Sequence, residues 1–270
     1  QGFGEAGEDG KKLDTRLLAL AANGVAITGP NTNGLANIAS GLALSLAPIL
    51  QYKDRIAPGR IAMVSQSGAM ISALLTHLAN CNLGVGKVVA SGNELALTVA
   101  DYIGYLADDP DTDAIVLYLE TIRDMPAFRA AVARARAAGK PVIATKVGES
   151  ESGQQATLSH TGAIAGSYRN IVTFLEKEGV YVADDLETMA HIAECLTRYD
   201  WRDGDAPAKP FITSLSGGLA AQMADAASRL AIPLENPSPA AAGHLRALPV
   251  QSHPINPYDI AAQNPIIPDV

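Results

Sequence analysis

Between residues 61 and 198, short β-branched runs alternate with longer helical patterns, and no other feature constrains the fold of this chain as strongly. The runs are Ile61–Ser65, Lys87–Ala90, Ala114–Leu119, Pro141–Lys146 and Val180–Ala183. Helical spacing follows each of them: from about Ala69, over 97–107, over 126–138, from about Ile164 to 178, and over 186–198. Strands that alternate with helices are joined by crossovers, so they lie parallel in one sheet with helices on both faces. Ile115-Val116-Leu117 is apolar at every position, as a strand covered on both sides requires.

The flanks have a different rhythm. Residues 11–23 carry a helical apolar period closed by Gly24, and 25–28 read as a short strand entering the turn-rich Gly29-Pro30-Asn31-Thr32-Asn33-Gly34. From about 38 to 60 the pattern fades, and Pro48, Pro58 and Gly59 read as a linker. Beyond a second linker at 200–207, one more strand–turn–helix unit occupies 210–231. The expected division is 1–56, 57–200 and 208–270. The opening without Met and the ending just past Asn256-Pro257-Tyr258-Asp259 read as cuts in a longer polypeptide.

Composition excludes several classes. With 48% hydrophobic and 18% charged residues, the chain has enough apolar material for a core, unlike a disordered linker. Twenty Lys+Arg against 28 Asp+Glu give a net charge of −8 and no basic stripe, which argues against nucleic acid or an anionic membrane as partner. Cys81 and Cys195 build neither a disulfide framework nor a zinc knuckle; no metal site is read, and a reducing cytoplasm suits them. No apolar run reaches the roughly 20 residues of a bilayer helix.

Ser65-Gln66-Ser67-Gly68 turns a strand into a helix, and Ser214-Leu215-Ser216-Gly217 repeats the device. Unpaired N–H groups at a helix start, with serine hydroxyls and the helix dipole, form an anion site. A serine cap with glycine relieving crowding explains a single such turn equally well, but not the repetition. His160, in Ser159-His160-Thr161-Gly162-Ala163, follows a polar loop at 148–157 and has small hydroxylated neighbours, unlike a core histidine. A neutral imidazole is a good nucleophile, although an exposed loop histidine without a role would look the same. Glu120 ends the most apolar strand, where open α/β sheets bind ligands; there it could accept an imidazole Nδ1–H and leave Nε2 to attack, or simply cap the next helix. Glu94, after the preceding strand, could line the same crevice. His77, His191, His244 and His253 are read as without a role.

Taken in order, Gly29-Pro30-Asn31, Ser65-Gln66-Ser67-Gly68-Ala69, Ser91-Gly92-Asn93-Glu94, Asp108-Asp109-Pro110-Asp111-Thr112, Tyr118-Leu119-Glu120 and Ser159-His160-Thr161-Gly162-Ala163 resemble the NDP-forming acyl-CoA synthetases, the superfamily of ADP-forming acetate–CoA ligase and succinyl-CoA synthetase. The resemblance implies a flavodoxin-like α/β sheet followed by a second, incomplete domain of the same type, with residues 1–56 as the tail of a CoA-binding domain. It also implies an acid–thiol ligase that converts carboxylate, CoA and ATP reversibly to acyl-CoA, ADP and phosphate. His160 would carry the phosphoryl group and Glu120 would orient it. Ser65, Ser67, Gly68 and Ala69 would hold the phosphate at one helix start, and Ser216, Gly217, Gly218 and Leu219 at another, with the histidine loop swinging between them. Pro30, Asn31, Asn93 and Glu94 would border CoA and the acyl group. Thr32-Asn33 departs from the family, where many relatives have Cys followed by a small or apolar residue. The nucleotide and its Mg²⁺ would be held mainly by an ATP-grasp domain or subunit without counterpart in these residues, so this piece alone is expected to complete no turnover, and the intact protein is expected to be oligomeric. Two rival readings stand beside this one. A serine hydrolase using Ser67 lacks the Gly-x-Ser-x-Gly elbow, because Val64 stands where the first Gly belongs. A non-catalytic CoA- or acyl-CoA-sensing module of a regulatory protein such as an acetyltransferase is the alternative, although the retained His160 argues against it.

Overall fold

The computed structural model describes residues 2–51, 56–155, 167–199, 209–248 and 253–260, and the chain divides into two units, Gln1–Trp201 and Arg202–Val270. The strands of the first unit are β1 (Gly34–Asn37), β2 (Leu42–Ser45), β3 (Pro58–Ser65), β4 (Val85–Ala90), β5 (Ala114–Leu119), β6 (Val142–Lys146) and β7 (Tyr181–Ala183). Its helices are α1 (Glu8–Ala22), α2 (Met70–Asn80), α3 (Val99–Asp108), α4 (Met125–Ala137), α5 (Tyr168–Lys177) and α6 (Leu186–Arg198).

Successive side chains of a strand point to opposite faces, and the central strands use both. Ile61, Met63, Val116 and Ile143 join α2 and α6 in one buried cluster. Ala62, Val64, Ile115, Leu117 and Ala144 join α3, α4 and α5 in the other. Every residue of β5 and β6 is buried, which is why these strands read as unbroken apolar runs. Three of these helices begin on side-chain caps: Asp124 accepts from Ala127 N–H and Asp185 from Thr188 N–H, while Thr98 and Asp101 form a capping box.

The sheet runs β2-β1-β4-β3-β5-β6-β7. From β4 to β7 all pairs are parallel, and counted from β3 this is the 2-1-3-4-5 order of a flavodoxin-type sheet. The sheet as a whole is mixed, because the β1–β2 hairpin adds to β4 antiparallel, with Leu35 opposite Val89. Chain order reverses at β3: the first crossover leads to β4 on one side, and a later one places β5 on the other.

Three local readings change. Residues 25–28 form no strand. They lie along the 92–97 loop, with Leu97 N–H donating to Ile27 O and Leu95 N–H to Gly29 O, and Pro30 then has no N–H to continue a ladder. The stretch 38–60 is not a featureless linker, since it holds β2, a 3₁₀ turn at Pro48–Gln51 and the start of β3. Proline is tolerated at the first position of a strand, and Gly59 lets the β3 backbone close on Gly84. The polar 148–157 loop begins helically: residues 151–155 are helical, and Gly153 N–H donates to Ser150 Oγ at 3.0 Å.

The second unit has a two-stranded parallel sheet, β8 (Thr213–Ser214) beside β9 (Tyr258–Asp259), with α7 (Gly217–Arg229) and α8 (Pro239–Arg246). Asn256 ties it together: its Oδ1 accepts from Ile212 N–H at 3.0 Å, and its Nδ2 donates to Pro210 O at 2.8 Å and Glu235 O at 3.0 Å.

A β-carbon on Gly59 would stand 2.2–2.4 Å from backbone atoms of Gly84, which no side-chain movement relieves. Gly59→Ala should therefore destabilise the first unit by about 1–3 kcal/mol, read as a lowered urea midpoint at unchanged slope.

Candidate active site

In an open parallel sheet, ligands bind at the carboxyl ends of the strands, where chain order reverses. Here that point lies between the ends of β3 and β5, and it holds Ser65 and Glu120. The two strands are adjacent, with Ser65 opposite Tyr118. Beyond them the chain leads from β3 into α2 and from β5 toward α4, on opposite faces of the sheet, which is where such folds form their crevice.

The Gln66 side chain spans the crevice floor. Its Oε1 accepts from Glu120 N–H at 2.6 Å and Thr121 N–H at 2.9 Å, and its Nε2 donates to Thr121 O at 2.8 Å. Its backbone N–H donates to Tyr118 O at 3.1 Å. The backbone that carries Glu120 is thus fixed from the opposite strand. Ser65, fully buried, donates from Oγ to Ser67 O at 2.6 Å, so its hydroxyl shapes the turn from within. No serine caps α2: its N-cap is Ala69, in helical conformation and without a side-chain cap bond. At Gly68 the Asn33 side chain lies close against the turn. A β-carbon there would come 2.7 Å from Asn33 Cγ.

Glu120 is 9% exposed. Its charge acts on two neighbours: it adds to the burial that raises the Tyr118 phenol, and it opposes the burial that lowers the Lys146 ammonium. Lys146 ends β6 opposite Leu119, donates to Val147 O and lies 5.8 Å over the Tyr168 ring.

The Gly29-Pro30-Asn31 turn docks on the Ser91-Gly92-Asn93-Glu94 loop, so the structure brings Pro30, Asn31, Asn93 and Glu94 together. Asn93 N–H donates to Pro30 O at 2.9 Å, and Asn31 Nδ2 donates to Asn93 Oδ1 at 3.2 Å. Gly92, at φ +61°, leaves no room for a β-carbon, which would stand 2.4 Å from Pro30 O. Glu94 is turned inward, only 2% exposed. Its Oε1 accepts from Ser91 Oγ at 2.7 Å and from Val99 N–H, at the start of α3, at 3.1 Å. Burial raises its pKa, against the opposing pull of Ser91, Gln66, Arg123 and Val99 N–H. One oxygen of this carboxylate thus caps a helix, while Gln66 and Arg123 also act on the group.

The repeated turn has the same internal bond in the second unit, where Ser214 Oγ donates to Ser216 O at 2.9 Å. There Ser216 does cap its helix, accepting from Leu219 N–H at 3.4 Å. Gly217, Gly218 and Leu219 form the exposed first turn of α7, and the Asp259 carboxylate lies beside it: a β-carbon on Gly217 would meet Asp259 Oδ2 at 2.8 Å.

His160 and its neighbours 156–166 lie outside the described residues. His77, His191 and His244 are helical, as their spacing implies. Among the described residues one group brings metal-ligating atoms together, Cys81, His191 and Glu194, all within 4.8 Å. It lies where the end of α2 meets α6, and Arg198 already pairs with Glu194 and donates to Cys81 O at 2.7 Å. No helix among the described residues is long and apolar enough to cross a membrane.

Residues 58–196 match the family described as succinyl-CoA ligase like flavodoxin domain. The chain belongs to that family. Trans-feruloyl-CoA synthase FCS1, from an unknown prokaryotic organism, is 38% identical over 97% of this chain and 37% of its own length. The alpha subunit of acetate–CoA ligase (ADP-forming) II from Pyrococcus furiosus is 34% identical over 97% of this chain and 55% of its own. A solved dinucleotide forming acetyl-coenzyme A synthetase 1 of Ca. Korarchaeum cryptofilum, in complex with phosphate and ADP, superposes with a TM-score of 0.85 at 28% identity. It covers 98% of this chain, which spans 56% of it. The chain thus covers between about a third and about half of the curated relatives compared here.

Two residues of this succinyl-CoA ligase-like crevice went unread in the sequence: Gln66 and Lys146. Gln66 was hidden as the variable position of Ser-x-Ser-Gly, although a polar residue ending an apolar strand was a signal. Lys146, closing the apolar run that starts at Pro141, carried the same signal. Asn33 stands out in the sequence as part of the Thr32-Asn33 departure, but no local signal marks its contact with Gly68, 35 residues further on.

Gln66→Leu would leave the Glu120 and Thr121 N–H groups without their acceptor in a buried place, so a loss of about 2–4 kcal/mol in urea unfolding is expected. Glu94 predicts a pH dependence. Because its folded pKa lies above its ordinary value of 4.5, the folded state holds the proton longer, and its contribution to stability falls as pH rises through that window. Glu94→Gln keeps the Oε1 acceptor and should flatten that fall, measured by thermal midpoints from pH 4 upward.

Proposed function

We propose that this chain is the acyl-transferring part of an NDP-forming acyl-CoA synthetase, working through a phosphohistidine on His160. The observation that carries the reading is the switch-point crevice, where the Ser65–Ala69 turn and Glu120 are fixed to one another through Gln66. Relatives that act on ferulate and on acetate support the reaction class.

A carboxylate and a thiol do not condense in water without activation. In the acyl-phosphate half-reaction, His160 Nε2 attacks phosphorus, the N–P bond forms, the P–O bond to the acyl group breaks, and the carboxylate leaves. Passing the phosphoryl group on to ADP yields ATP, and the same steps reversed use ATP to activate the acid. Splitting the transfer in two lowers each barrier. Glu120 accepts Nδ1–H and so fixes the tautomer that leaves Nε2 nucleophilic. Main-chain N–H groups of the 67–69 turn and the α2 dipole stabilise the phosphoryl dianion. The turn of Ser216, Gly217, Gly218 and Leu219 serves as a second station for the phosphoryl group carried by His160. Pro30, Asn31 and Asn93 border the CoA and acyl site, and Glu94 holds its wall. Mg²⁺ enters with the nucleotide on an ATP-grasp segment or subunit, which full turnover requires, within an oligomeric assembly.

The test uses the intact enzyme with labelled ATP and Mg²⁺. Acid-labile, base-stable label is expected on the wild-type protein and none on His160→Ala, while Glu120→Gln should slow labelling by about 10²–10⁴-fold. An unlabelled wild-type protein would favour a CoA-sensing module instead.

A further inference from the structure

Lys146 is a buried charge that the relay as described leaves unused. It closes β6 at the carboxyl edge of the sheet, after Val142, Ile143, Ala144 and Thr145, and is only 4% exposed. An ammonium in such a place is retained where its charge is needed, because an apolar side chain of the same length would pack there without the desolvation penalty. Its contacts among the described residues are the Val147 carbonyl and the face of Tyr168, and neither is a counter-charge. The carboxylate acting on it is Glu120, one residue beyond its register partner Leu119 on the neighbouring strand.

We infer that Lys146 is a positioning residue whose ammonium keeps the buried Glu120 carboxylate ionised, so that it can accept the Nδ1–H of the reactive histidine. The inference rests on the phosphohistidine reading above. Glu120 is 9% exposed, and burial without a cation nearby would favour its protonated form, which cannot accept that N–H in the same way. Among the described residues, several other groups stand around the pair. Tyr118 on β5 and Tyr168 at the start of α5 are phenols whose ionisation burial opposes. Glu149 and Asp184, which act on Tyr168, are acids. Gln66, from the β3–α2 turn, is neutral. Arg123, which follows β5, is a second cation and acts on Glu94.

Removing the ammonium should raise the pKa of Glu120 and slow histidine phosphorylation at neutral pH, with recovery as pH rises and Glu120 ionises. The experiment is rapid-quench phosphorylation of the intact enzyme, with its ATP-grasp segment, from labelled ATP between pH 6 and 9, together with steady-state kinetics. For Lys146→Met we expect kcat lower by about tenfold to a hundredfold near pH 7, KM for CoA and carboxylate within about threefold of wild type, and a rate that climbs with pH where the wild type is flat. Lys146→Arg, which keeps the charge, should restore part of the rate. If Lys146→Met fails to fold, Lys146→Gln carries the same measurement. Wild-type protein without phosphohistidine would sink the underlying reading. A labelled wild type with Lys146→Met equal in rate and pH profile would overturn this inference alone, as would a deficit that neither pH nor arginine repairs.

Discussion

The amide of Gln66 joins two strand ends that the fold makes adjacent but the sequence separates by more than fifty positions. It accepts from two backbone N–H groups of the segment after β5 and returns one bond to a carbonyl of the same segment. These bonds lie where the sheet order reverses, so nearby loops run apart and could otherwise move independently. With the amide in place, the turn that starts α2 and the backbone of Glu120 form one rigid floor. An oriented carboxylate is useful only if its backbone does not drift, because positioning of reacting groups is lost over about an ångström.

The two Ser-x-Ser-Gly turns share an internal hydroxyl-to-carbonyl bond but differ in how the helix begins. In the first, Ala69 already has helical backbone geometry and no side chain caps the start. In the second, Ser216 caps the helix and the Asp259 carboxylate stands beside Gly217.

Much of the architecture was legible because burial on both faces imposes its own pattern. β5 and β6 read as strands since every one of their positions faces a core. The β1–β2 hairpin did not, because Leu42 and Leu44 remain exposed on an edge strand and show no alternation. Glu120 was legible from its place at a strand end. The inward turn of Glu94 was not, because it depends on Ser91 and Val99 closing around one oxygen, a contact no spacing rule anticipates. Gln66 and Lys146 stood in plain view, but a polar residue after an apolar run acquires meaning only once the neighbouring strand is known.

The account stands or falls on which imidazole nitrogen bears the phosphate. Phosphorus NMR of the phosphorylated intact enzyme, with proton–phosphorus couplings to the imidazole ring, distinguishes the two isomers directly. A carboxylate that accepts Nδ1–H predicts a single Nε2-phosphohistidine at His160. Phosphate on Nδ1, or an acid-stable phosphoserine at the Ser65–Ala69 turn, would contradict it.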